Sequence, residues 1–160
     1  EKAKKLNRDI IIIGKGEKEI ENMIYSYVEK YKNVIFYNEF VSEEKKQDYI
    51  KNCYCFLLPS VYNSEAFGIT QIEALSYGKP IINTNLDTGV PWVSVHELTG
   101  YTAEPNNIQS LLESIVKMDK LSINDYKLFC HNAKLRHKEL FDNKVVKQQL
   151  LSLFKDEIIS

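Results

Sequence analysis

No run of the chain comes near the roughly twenty consecutive apolar residues that a membrane-spanning helix needs. Its opening, Glu1-Lys2-Ala3-Lys4-Lys5-Leu6, lacks the apolar core of a signal peptide. Contact with a membrane is therefore expected only through parts of the protein outside this sequence. An excess of either charge is also missing. The formal net charge is -1, and Lys2, Lys4, Lys5, Lys45, Lys46 and Lys51 are spread among carboxylates as on solvated helix faces. That leaves no basic footprint for nucleic acid. Cysteine is scarce: Cys53, Cys55 and Cys130 lack the paired spacing of a zinc site. They lie in or near apolar stretches and read as reduced interior thiols of a cytosolic protein. No internal repeat or low-complexity tract is present.

What is present is a chain of single-domain size, 160 residues of which 44% are hydrophobic, enough for one good core. Apolar runs and amphipathic segments alternate as strand 9–13, helix 18–31, strand 33–37, helix 43–51, strand 53–58, helix 68–77 and strand 80–84. This order predicts an α/β fold with right-handed crossovers and a parallel sheet covered by helices on both faces. From Asn85 to Pro105 the pattern loosens into Gly, Pro, Thr and Asn. Apolar islands at Trp92-Val93-Ser94-Val95 and Gly100-Tyr101-Thr102-Ala103 read as short strands or packed loop. Three helices are expected to close the chain, near 107–118, 122–138 and 143–157.

The stretch Ser64-Glu65-Ala66-Phe67-Gly68-Ile69-Thr70-Gln71-Ile72-Glu73-Ala74-Leu75-Ser76-Tyr77-Gly78-Lys79-Pro80 sets two carboxylates, Glu65 and Glu73, eight residues apart across a strand-to-helix turn. In an open α/β sheet such turns lie at the carboxyl ends of the strands, where ligands bind. The first amides of the helix have no intrahelical partners and favour phosphate or hydroxyl oxygens. Phe67, Gly68 and Ile69 would supply those donors, the glycine allowing close approach. Ionised Glu73 only accepts hydrogen bonds, and a pair of vicinal sugar hydroxyls is a natural donor to it. A glutamate in the first helical turn also stabilises the helix dipole, so the residue type admits both readings.

In order and spacing this stretch, with Leu58-Pro59-Ser60 before it, resembles the donor-site signature of retaining glycosyltransferases with the GT-B fold. In that family two glutamates, seven residues between them, stand in E-G-F-G-I-x-x-x-E-A-M-A-x-G-K-P; here Ala66 replaces a glycine and Leu75-Ser76 replaces Met-Ala. Asp9-Ile10-Ile11-Ile12-Ile13-Gly14-Lys15-Gly16-Glu17 is similar to the family's second strand and glycine turn. Val34-Ile35-Phe36-Tyr37, then Phe40-Val41-Ser42, resembles the strand before the nucleobase loop, with Asn38-Glu39 where a glycine is usual. Gly89-Val90-Pro91-Trp92-Val93-Ser94-Val95-His96, with Thr99-Gly100 after it, resembles a subgroup that builds bacterial surface polysaccharides.

The resemblance implies a Rossmann-like sheet forming the C-terminal half of a GT-B fold. Residues 1–160 would be its nucleotide-sugar-binding domain, truncated on the N-terminal side, with extra helices at about 107–157. Glu1–Leu6 reads as the end of a helix, and the family's pyrophosphate-gripping arginine and lysine have no counterpart here. The implied partners are a UDP- or GDP-sugar donor and an acceptor-binding N-terminal domain of the same protein, with no metal and no cofactor. Transfer would retain anomeric configuration, to a saccharide or lipid-linked acceptor, in the cytoplasm or at the inner face of the membrane. Glu73 would bind the ribose hydroxyls and Glu65 would lie against the donor sugar as the catalytic candidate. The backbone of Phe67, Gly68 and Ile69 would orient sugar and phosphate. The alternatives are a GT-B-fold epimerase or phosphorylase, since fold does not fix chemistry, and a non-catalytic nucleotide-sugar-binding module.

Lys15, between Gly14 and Gly16, either reaches the diphosphate or projects into water. Ser60 either lines the same crevice or is a loop serine with no ligand. Thr88-Gly89 resembles the loop facing the diphosphate, though Gly89 also suits a turn of positive φ. Trp92, among valines, is expected in the core. His96, His131 and His137 offer no arrangement for nucleophilic catalysis.

Overall fold

The computed structural model describes residue 6 and residues 8–158. Most of the expected helix end at Glu1–Leu6 lies outside them. The chain divides into two compact units, Glu1–Asp48 and Tyr49–Ser160. The strands pair in two parallel sheets, one within each unit.

In the first unit β1 (Ile10–Ile13) and β2 (Val34–Tyr37) run parallel, with Ile10 opposite Val34 and Ile13 opposite Tyr37. Between them α1 (Lys18–Lys30) makes the crossover, with Glu19 and Glu21 in its first turn and Lys30 in its last, each sign placed to suit the helix dipole. Tyr25 of α1 packs edge-on against Phe36 of β2, ring centroids 5.2 Å apart. Helix α2 (Glu43–Asn52) carries the chain into the second unit.

There β3 (Phe56–Leu57), β4 (Ile81–Thr84) and β5 (Gly100–Ala103) form a parallel sheet in that order. All four residues of the central strand are buried, as expected where a parallel sheet is covered on both sides. Successive side chains point to opposite faces. Ile81 accordingly packs with Ala74, Leu75, Val93 and Ala133, and Ile82 with Met118, Phe129 and Tyr101. Helix α3 (Ile69–Ser76) reaches the first cluster by burying Gln71, Ala74 and Leu75, the i, i+3, i+4 set of one helical face. Helices α5 (Ile108–Asp119) and α6 (Ile123–Arg136) start at side-chain caps. Asn107 accepts from the Ser110 amide at 3.0 Å and Ser122 from the Asp125 amide at 3.1 Å. The two helices are tied to the segment before β3 by Tyr54. Its ring stacks on Tyr126 at 4.2 Å, its hydroxyl donates to Met118 O, and its carbonyl accepts from the Tyr126 hydroxyl at 2.8 Å. A π-helical turn, His137–Phe141, joins α6 to α7 (Asn143–Ile158). Among the described residues no helix is long and apolar enough to cross a membrane.

Four expectations change. Strand 53–58 contracts to Phe56–Leu57, because the Cys53 amide still bonds back to Tyr49 O at 2.9 Å and closes the preceding helix. The island at Trp92 is the end of a single helical turn, α4 (Val90–Val93), where Pro91 sits in the first turn that tolerates it. Trp92 is not core: Val90 and Val93 take the interior positions and the indole is 51% exposed. The three cysteines carry no disulfide and are only partly buried. Burial pushes the thiols of Cys53 and Cys55 up from their ordinary range, so neither is a ready thiolate.

Leu75 is fully buried between α3 and the sheet. Leu75→Ala is expected to cost about 2–5 kcal/mol, seen as a lower urea midpoint at unchanged slope; an unmoved midpoint would contradict this packing.

Candidate functional site

The chain leaves β3 with the Leu58 amide still donating to Ile82 O at 2.8 Å, and Pro59 then ends the pairing. The loop that follows walls a cleft of about 350 Å³ lined by Pro59, Ser60, Val61, Tyr62, Ser64 and Glu65. Its position is fixed from below by β4, since the Thr84 hydroxyl donates to Ser60 O at 2.5 Å. Ser60 and Glu65, both read from the sequence, therefore share one cleft.

Glu65 also builds the turn into α3. Its Oε1 accepts from the Gly68 amide at 3.0 Å, and the Gln71 amide donates to Gly68 O at 2.8 Å to start the helix. Gly68 takes φ +67, and a Cβ there would overlap Leu58 Cδ2. Both the left-handed backbone and the close approach demand glycine. One consequence differs from the sequence reading: the Gly68 N–H, expected to serve a ligand, is engaged by Glu65. Ile69 opens the helix with its side chain 70% exposed. Glu73, one turn on, is half-buried with Oε2 shielded from solvent, and it is not among the residues that line the cleft.

A second loop is locked onto this one. The Gly89 amide donates to Ala66 O at 2.9 Å, and a Cβ at Gly89 would lie 2.7 Å from Phe67 Cε2. Close approach, not positive φ, is thus what Gly89 supplies. Thr88 Oγ1 accepts from the Val90 amide at 3.3 Å and shapes the start of α4. Phe67, Gly68, Thr88 and Gly89 are therefore brought together.

Behind them lies an aromatic group that sequence reading did not assemble. Trp92 is 5.7 Å from Phe67 and 5.4 Å from Phe141, centroid to centroid. The Arg136 guanidinium stands over the indole at 5.4 Å. Arg136 donates to Val93 O at 2.8 Å and to Trp92 O, placing a cation on the last carbonyls of α4. Burial holds its pKa below the ordinary guanidinium value, against the opposing pull of Glu139. Two further residues went unnoticed: Gln71 and Asn83, carboxamides at zero exposure. Their signal was available, a polar residue on the buried face of a helix and another inside the apolar run Ile81-Ile82-Asn83.

The glycine turn of the first unit is ordered by itself. Gly14, at φ +142, donates to Tyr37 O at 3.1 Å. The Gly16 amide meets Glu21 Oε1 at 3.4 Å, and the Lys15 ammonium lies 5.7 Å from the centre of the Phe40 ring. Of the histidines, His96 accepts from the Thr102 amide through Nδ1 at 2.9 Å and stands 3.7 Å from Glu97. This is a loop fastening. Among the described residues no group of three or more His, Cys, Asp and Glu side chains gathers as a metal site.

Known proteins resemble this chain in sequence and in fold. The family described as glycosyl transferases group 1 matches residues 1–136. The D-rhamnosyltransferase WbpZ of Pseudomonas aeruginosa is 32% identical over 97 residues, 61% of this chain and 25% of that protein. The O-antigen chain mannosyltransferase C of Escherichia coli is 28% identical over 141 residues, 87% of this chain and 37% of that protein. Anabaena Alr3699/HepE, solved in complex with UDP and glucose, superposes with a TM-score of 0.78 at 17% identity, over 97% of this chain and 43% of its own. The chain thus spans less than half the length of each of these relatives. The fold it shares with the solved structures is the Rossmann-like α/β fold of GT-B glycosyltransferases.

Trp92 is the only tryptophan of the sequence. Arg136→Ala is expected to shift its emission and to remove about 2 kcal/mol of stability, the worth of charge-assisted hydrogen bonds. Unchanged emission and melting would show that Arg136 does not hold α4.

Proposed function

As the chain belongs to the group 1 glycosyl transferases, we propose that it is the C-terminal, donor-binding half of a retaining glycosyltransferase. The donor is a UDP- or GDP-sugar, and the acceptor a saccharide or lipid-linked saccharide of bacterial polysaccharide or lipopolysaccharide synthesis. The work is done in the cytoplasm or at the inner face of the membrane. The observation that carries this reading is the Glu65 turn. A carboxylate fixes the backbone at the start of α3 beside an open cleft, and a second carboxylate, Glu73, follows within the same helix. Its relatives support the class of reaction: one is a D-rhamnosyltransferase, one a mannosyltransferase, and a third was solved with UDP and glucose.

In this assignment Glu73 accepts hydrogen bonds from the vicinal ribose hydroxyls, because an ionised carboxylate offers only acceptors and two hydroxyls offer two donors. Glu65 spends one oxygen on Gly68 and turns the other to the donor sugar. It is the catalytic candidate through orientation and electrostatics. The amides of Phe67 and Ile69 at the helix start donate to sugar hydroxyls and phosphate oxygens, and Thr88 stands opposite on the loop that Gly89, its own amide spent on Ala66 O, brings close. Developing negative charge on the leaving diphosphate is stabilised by such fixed donors in place. Ser60 lines the sugar side of the cleft. Gly14, Lys15 and Gly16 are assigned to phosphate, Lys15 supplying the positive charge. Neither a metal nor a cofactor enters the assignment.

On this reading the acceptor-binding residues belong to the other half of the protein, and the family's pyrophosphate-gripping arginine and lysine also lie outside these 160 residues. The 160-residue chain is expected to bind nucleoside diphosphate weakly and to transfer no sugar. Calorimetry with UDP and with GDP, repeated on Glu73→Ala, tests it. Loss of charged hydrogen bonds should weaken binding by about ten- to a hundredfold; equal affinity in the variant removes Glu73 from the ribose.

A further inference from the structure

We propose that Gln71 and Asn83 are positioning residues that set the two loops of the donor site as one unit; the inference rests on the donor-site reading above. Both side chains have zero exposure. Gln71 Nε2 donates to Phe67 O at 2.8 Å and to Val90 O at 3.1 Å. Asn83 Nδ2 donates to Val90 O at 3.0 Å, to Ser94 O at 3.2 Å and to Gln71 Oε1 at 3.3 Å. Their targets are the carbonyls of the loop before α3 and of both ends of α4. These are the segments that carry Phe67 and Gly68 on one side and Thr88 and Gly89 on the other. The Gly89 amide closes the circuit on Ala66 O.

The chemistry fixes the orientation of both carboxamides. Every neighbour that Asn83 Nδ2 meets is an acceptor, so a flipped amide would set oxygen against oxygen. The same orientation leaves Asn83 Oδ1 buried with no hydrogen bond among the described residues. An apolar pair of similar volume would remove that cost but take the donors away from the carbonyls of Phe67, Val90 and Ser94. The two carboxamides thus hold these loop carbonyls in place, with Asn83 Oδ1 as the one acceptor of the pair left without a partner among the described residues. Because backbone amides are the proposed ligand donors, a small displacement of either loop misaims them.

The test is nucleotide affinity measured on the full 160-residue chain for wild type, Gln71→Met, Asn83→Leu and the double variant. Met118→Ala serves as a control that opens a cavity on the other face of the sheet. Folding of each is checked by circular dichroism. UDP or GDP should bind the two single variants about tenfold or more weakly. The double variant should be little worse than either, the non-additivity of residues acting together, and the control should bind as wild type. Folded single variants within twofold of wild type, or an equal loss in the control, would overturn the proposal. Should the variants not fold, the wild-type spectrum decides. The side-chain amide resonances of Gln71 and Asn83 shift during nucleotide titration in step with the Gly68 and Gly89 amides if the proposal holds; movement of the loop amides alone refutes it. A wild-type chain that binds neither nucleotide overturns the donor-site reading itself, and the positioning role with it.

Discussion

The hydrogen bond from the Gly68 amide to Glu65 turns a strand exit into a helix start. A left-handed glycine has no Cβ to hold it against its neighbours, so the carboxylate three residues back fixes the turn, at 3.0 Å. Everything proposed for the site descends from that point. The cleft wall lies on the loop before it, the first amides of α3 lie just after it, and Glu73 stands one turn beyond. The carboxylate proposed as the catalytic candidate thus also has a structural duty. The two are compatible because a carboxylate has two oxygens and about four acceptor positions.

The surrounding architecture keeps this turn where a ligand can use it. β4 is buried on both faces, and its side chains serve three separate tasks. Ile81 and Ile82 anchor opposite sides of the sheet, Thr84 ties down the Ser60 loop, and Asn83 reaches into the polar circuit with Gln71. One four-residue strand thereby joins core packing to loop geometry. Arg136 extends the support from α6 to the far end of α4. Polar groups buried in this way are strong only when their partners are in place. That is why the two loops are held as a unit and not as independent turns.

The α/β class was legible because the apolar runs were short and separated by amphipathic segments, and nearly all of those runs became the expected elements. The signature around Glu65 and Glu73 was legible as a string of residue types at fixed spacing. What a string cannot carry is which amide its own carboxylate will use, and the Gly68 donor was assigned to a ligand for that reason. Trp92 was misread as interior because its neighbours are valines. In a helical turn Val90 and Val93 share one face while Trp92 points elsewhere, and Pro91 at the turn's start was the clue. The short β3 shows the same limit, since a helix cap at Cys53 depends on a backbone bond that no side chain announces. Gln71 and Asn83 were visible as polar residues in apolar surroundings, yet their partners are main-chain carbonyls distant in sequence.

The central claim is that Glu65 and Glu73 face one nucleotide-sugar across the start of α3. A crystal structure of the chain with bound UDP or GDP measures it directly. The account predicts ribose hydroxyls within hydrogen-bond distance of the Glu73 carboxylate and the distal phosphate toward the amides of Phe67 and Ile69, with the cleft beside Glu65 open for the sugar. A nucleotide seated away from α3, or a ribose beyond reach of Glu73, would contradict it.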